Sequence, residues 1–285
     1  MSSKPATLTR QRALTARFMA EGLVVLGVLI WWLTSLQLPD AVFPSPLNVF
    51  AQLGTLVTER EFWAAAGSTG LRVLIAVLAA VFIGTTLGLL PRYFSWTGGI
   101  VNDVLIPLFT SFPAVAWAII GSVWFGVNAT SIVVVQTLII LPFCLVNVAE
   151  GAKEIGREEV EMGRSFGRRP VAIFWRIELP MLSPFIVAGA RIAYGVCWKV
   201  SLVAELFGAR SGLGFQMQLA QDTGQVDTIL AICIAIVIFV IAGDALVLRP
   251  LSRRLDAISG AAALPADTVG GAPPAARPAP GQGAP

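Results

Sequence analysis

Charged residues stand inside long apolar runs, and each needs a reason to be there. Lys199 and Glu205 lie in the run 184–206, and Asp244 lies in the run 228–248. A charge at the middle of a bilayer costs about 2.5–3.5 kcal/mol on insertion scales. Two roles offset that cost for Lys199: attracting an anion along a translocation path, or bracing a carboxylate, with Glu205 and Asp244 as the candidates. Arg191, about two turns into the same run, is close enough to its end to extend its guanidinium to the membrane surface. Glu205 lies near the opposite end of the run. A second constellation lies between apolar runs: Glu161, Met162 and Gly163, then Gly167, then Ile177, Leu179 and Pro180. Cations (Lys153, Arg157, Arg164, Arg168, Arg169, Arg176) and carboxylates (Glu150, Glu154, Glu158, Glu159, Glu161) surround an apolar stripe of Val160, Phe166, Ile173, Phe174 and Ile177. Pro170 favours a fresh helix start, and Pro180 and Pro184 end that second helix. The pattern predicts two short helices meeting at a glycine turn, either a charged surface connector or a surface that docks on a partner.

The composition excludes other chemistry. The chain has no histidine, which removes His triads, His general bases and His-ligated metals. Cys144, Cys197 and Cys233 all fall in apolar runs, form no CxxC pair and read as small buried hydrophobes. No G-x-x-x-x-G-K-[ST] run exists; Gly98-Gly99 and Gly270-Gly271 are followed by neither lysine nor a helix-opening pattern. The chain is therefore expected to be neither an ATPase nor another enzyme, and to need no cofactor.

The elements that must position these residues are membrane spans. Of 285 residues, 56% are hydrophobic and 13% charged, with a mean hydropathy of +0.77; soluble domains carry about 25% charged residues. Apolar runs long enough for a bilayer fall at 18–38, 71–90, 100–125, 131–148, 184–206 and 228–248, giving an all-α protein with six spans. Pro107, Pro113 and Gly121 predict a kinked or broken third span. Pro44-Ser45-Pro46 followed by 47–56 reads as a short interfacial helix. With six spans, 15 of the 20 basic residues share one side; the positive-inside rule makes both termini and the 149–183 loop cytoplasmic. This placement, rather than nucleic-acid binding, accounts for the net charge of +3. The organisation is a cytoplasmic segment 1–17, a span domain 18–256 and an Ala/Gly/Pro-rich tail 257–285 expected to be disordered.

The spacing of the 161–180 constellation resembles the EAA loop of ABC-importer permeases: Glu161, Gly167, Ile177, Leu179 and Pro180 stand at the family's offsets, while Met162 and Gly163 replace its two alanines. Phe43-Pro44-Ser45-Pro46, Phe112-Pro113-Ala114-Val115-Ala116-Trp117, and Ala204-Glu205-Leu206 before Gly212-Leu213-Gly214 are similar to further elements of the nitrate/sulfonate/taurine branch. The resemblance covers about residues 15–256. It implies a type-I importer permease in the plasma (inner) membrane, two ATP-binding cassette ATPase subunits below, an extracytoplasmic binding protein above and a second permease copy. It further implies that Glu161 to about Arg169 is the coupling helix. The cargo would be a small, commonly anionic solute; nitrate, sulfonates, taurine, bicarbonate-like anions and thiamine-precursor pyrimidines all belong to this branch. An ion-coupled secondary transporter is the alternative from another class. It predicts two related halves with paired ionisable residues near the midplane, and no repeat at a fixed period is found.

Overall fold

The computed structural model describes residues 6–126, 128–155 and 170–253. All regular structure among them is helical. Helix α1 covers Ala6–Ser35 and α2 covers Pro46–Thr58. Pro46 opens α2, and the Ser45 hydroxyl caps it by accepting from the Asn48 N–H at 3.3 Å. Helix α3 is Arg60–Tyr93, eleven residues earlier in its start than the apolar run 71–90 predicts, because Glu61 and Phe62 continue the same helix. Thr97–Ser111 (α4) and Ala114–Phe125 (α5) form a pair bent by 88°. The break falls at Phe112-Pro113, where both residues are extended, as the steric demand of proline on its predecessor requires. Ala129–Glu154 (α6), Val171–Phe207 (α7), Leu213–Asp222 (α8) and Val226–Arg253 (α9) complete the described chain.

Four of these helices, α3, α6, α7 and α9, are long and apolar enough to cross a membrane, and the bent pair α4–α5 makes five if it counts as one span. The expected first span corresponds to the apolar part of α1, Glu21–Ser35.

Helix α6 is the centre of the bundle, with 61% of its apolar window buried, against 39% for α3 and 22% for α7 and α9. Small residues let its neighbours approach. A Cβ added at Gly84 of α3 would lie 2.7 Å from the Cys144 Cβ, and one at Gly189 of α7 would lie 3.1 Å from the Cys144 Cα. Cys144 is thus held between two glycines, the kind of contact on which helix packing in lipid depends. Cys144 and Cys197 are buried, Cys233 is half-buried, and all three are free thiols. The largest apolar core runs through α2, α3, α6, α7, α8 and α9, including Val49, Phe62, Val73, Ile140, Cys197, Leu213 and Ile232. A smaller one, built on Leu89, Val148, Ala152, Ile155 and Leu182, fills the far end of α3. Large apolar side chains elsewhere face outward, among them Leu78 and Phe82 of α3 and Leu246 of α9. In water such surface would be unfavourable; against lipid it costs nothing.

Candidate functional site

Two arginines of α3 and two glutamates of α7 form ion-pair knots at opposite ends of the bundle. At one end Glu205 is completely buried and fully partnered. Arg72 Nη1 donates to its Oε1 at 2.7 Å, the Thr69 hydroxyl lies 2.9 and 3.0 Å from its two oxygens, and the Gly214 N–H donates to Oε2 at 2.9 Å. Arg72 also donates to the Ser211 carbonyl at 2.8 Å and the Ser211 hydroxyl at 2.7 Å. The Leu213 N–H donates to Thr69 Oγ1 at 2.9 Å. Two free N–H groups of the first turn of α8 are therefore capped by α3 and α7, where a carboxylate also suits the helix dipole. Gly212 carries the turn at φ +117°, and a Cβ there would stand 2.5 Å from Glu205 Oε2. Only glycine fits.

This arrangement replaces the expected brace between Lys199 and a carboxylate. Glu205 stands six residues beyond Lys199, which places the two side chains on different faces of α7, and Glu205 is taken by Arg72. Asp244 of α9 accepts instead from Arg191 at 2.6 and 2.9 Å and from Arg249 at 2.9 Å. Arg191 therefore does not extend to the surface alone, as its position in the run suggests. It is the nearer partner, because Lys199 lies eight residues, about 12 Å, further along α7. Lys199 is exposed in the single chain, and among the described residues no carboxylate pairs with it.

At the other end Glu178 is buried to 4% exposure. Arg92 Nε faces its Oε1 at 3.5 Å, and the Tyr93 hydroxyl donates to Oε2. Arg92 Nη1 also donates to the carbonyls of Ala152 at 2.8 Å and Ile155 at 3.1 Å. These are carbonyls at the C-terminal end of α6, which the helix itself leaves without donors. Glu178 closes a π-wound turn, Phe174–Glu178, inside α7. Its neighbours Ile177, Leu179 and Pro180 are all half-buried. Glu161, Met162, Gly163 and Gly167 lie outside the described residues. Sequence reasoning passes over Thr69, Arg72, Arg92, Tyr93 and Glu178. One signal points to the first two: Thr69 and Arg72 stand three apart on one face of α3, where its apolar run begins.

With this fold and these knots in place, comparison with known proteins decides the family. A model of the binding-protein-dependent transport system inner membrane component matches residues 80–249. The chain belongs to that family. This inner membrane component is 30% identical over 243 residues to the taurine transport system permease protein TauC of Escherichia coli K12, covering 82% of this chain and 87% of the relative. It is 29% identical to the putative aliphatic sulfonates transport permease protein SsuC of the same organism, over 76% of this chain and 81% of that one. A solved chain of the MetNI methionine ABC transporter in an inward-facing conformation shares the fold, with a TM-score of 0.52 at 22% identity, covering 72% of this chain and 95% of that one. Its relatives are permease subunits, so the inner membrane component is a transport protein and not an enzyme.

Proposed function

We propose that this chain forms the translocation path of an ATP-driven importer for a small sulfonate-type anion. It works as a pair of identical copies above two ATPase subunits and receives its cargo from an extracytoplasmic binding protein. In this reading the chain crosses the membrane six times with both termini inside. The Arg92 knot then lies at the cytoplasmic face and the Arg72 knot at the outer one. Residues 161–180 form the coupling loop. The observation that carries the cargo class is Lys199. Four arginines of these helices, Arg72, Arg92, Arg191 and Arg249, each meet a carboxylate, whereas Lys199, set deep in α7, is exposed and meets none among the described residues. Facing lipid, an ammonium at that depth would cost about 2.5–3.5 kcal/mol; facing a hydrated path, it supplies the charge an anion needs. The taurine and sulfonate permeases among the relatives support the same cargo class.

Lys199→Met tests this directly. Methionine keeps the length and removes the charge. Uptake of a sulfonate by the assembled complex is expected to fall while assembly and basal ATP hydrolysis persist; unchanged uptake would refute the assignment. Orientation is tested separately in intact cells. A cysteine placed at Gln221 is expected to react with an impermeant maleimide added outside, and one at Trp175 is not. The reverse pattern would invert the topology.

A further inference from the structure

We infer that Arg92, with Tyr93, is a positioning residue that ties both ends of the coupling loop to α3, so that α3 moves with the loop during transport. The inference rests on the coupling-loop reading above. Its structural basis is the convergence of three elements on one guanidinium. Ala152 and Ile155, whose carbonyls Arg92 holds at 2.8 and 3.1 Å, immediately precede residues 156–169. Glu178, which Arg92 faces at 3.5 Å and to which Tyr93 donates, comes after that stretch. Arg92 and Tyr93 themselves lie about 60 and 85 residues away in sequence from these partners, on a different helix.

The physical consequence depends on the other connections among these elements. The end of α6 and the start of α7 are joined covalently through the loop, so any displacement of the loop reaches both. Helix α3 has no such connection. Its end is joined to them by the small apolar cluster of Leu89, Val148, Ala152, Ile155 and Leu182, which also packs against Phe174 and Met181. Apolar contact is non-directional and permits sliding; hydrogen bonds to two fixed carbonyls and a carboxylate do not. Only arginine carries enough donors, in a rigid plane, to hold all three acceptors together. The cluster also excludes water beside the pair, which strengthens each bond.

The test uses the full complex of permease and ATPase in proteoliposomes, reading solute transported per ATP hydrolysed. Arg92→Lys keeps the charge but cannot span the three acceptors. The assembled variant is expected to hydrolyse ATP while the transport-to-hydrolysis ratio falls about tenfold, the worth of one charge-assisted hydrogen bond. Tyr93→Phe, which removes a single hydroxyl, is expected to lower the ratio in the same direction by less, and it carries the test if Arg92→Lys fails to assemble. An unchanged ratio in an assembled variant overturns the inference, and so does loss of assembly in both variants, which would make the knot purely structural. Gly167→Asp separates this from the reading beneath it. If Gly167→Asp leaves assembly with the ATPase and transport normal, the coupling-loop reading fails. If it abolishes assembly while Arg92→Lys retains a normal ratio, only the present inference fails.

Discussion

The two knots use the same residue types on the same pair of helices and differ in how completely they are satisfied. At the Arg72 end the carboxylate is fully buried, meets a guanidinium, a hydroxyl and a backbone N–H, and sits beside a glycine turn that admits no side chain. At the Arg92 end the ion pair is longer, 3.5 Å against 2.7 Å, and the arginine divides its donors between a carboxylate and two carbonyls. The first therefore acts as a fixed joint among α3, α7 and α8. The second reaches across to the chain segments that flank the loop. Burial with full satisfaction produces an anchor; divided satisfaction near a connector produces a linkage.

If the contrast is right, breaking the Arg72 knot has the largest effect on stability. Glu205→Leu strands a buried guanidinium, and thermal unfolding of the purified complex should show a loss of about 3–5 kcal/mol. The double change Arg72→Met/Glu205→Met should recover part of that loss, because no uncompensated charge remains. Gly212→Ala tests the same joint through its turn. Alanine at a positive φ against a carboxylate should cost about 1–3 kcal/mol, with transport reduced only in proportion to the folded protein. Glu178→Gln should cost less, about 1 kcal/mol, since Arg92 keeps both carbonyls, yet it should impair the transport-to-hydrolysis ratio more than Gly212→Ala does. Arg191→Gln completes the series with no measurable change in unfolding. The Arg191 side chain is about half exposed, and Asp244 retains Arg249 as a partner. Equal losses from Glu205→Leu and Glu178→Gln would erase the distinction between anchor and linkage.

Local grammar makes several features of the fold legible. Pro44-Ser45-Pro46 announces α2, and Phe112-Pro113 announces the sharp break, because proline acts on its immediate neighbours. The runs of apolar residues locate the helices, though not where polar first turns such as Arg60-Glu61 extend them. The partners of the buried charges are not legible. Arg72 and Glu205 are 133 residues apart, and hydrophobic periodicity does not report how two helices are rotated about each other. Glu178 is hidden for a different reason. Between Ile177 and Leu179 it occupies the unassigned position of a motif, and only the structure shows that this side chain is buried and receives a hydrogen bond from Tyr93.

One transport measurement decides between ATP-driven import and its rival. The permease is reconstituted with its own ATPase in proteoliposomes, its binding protein is supplied on the opposite face, and accumulation of radiolabelled taurine is followed with and without ATP. Accumulation is expected only when ATP and the binding protein are both present, and it should be saturable by other small sulfonates. Accumulation driven by an ion gradient without ATP would contradict the importer reading.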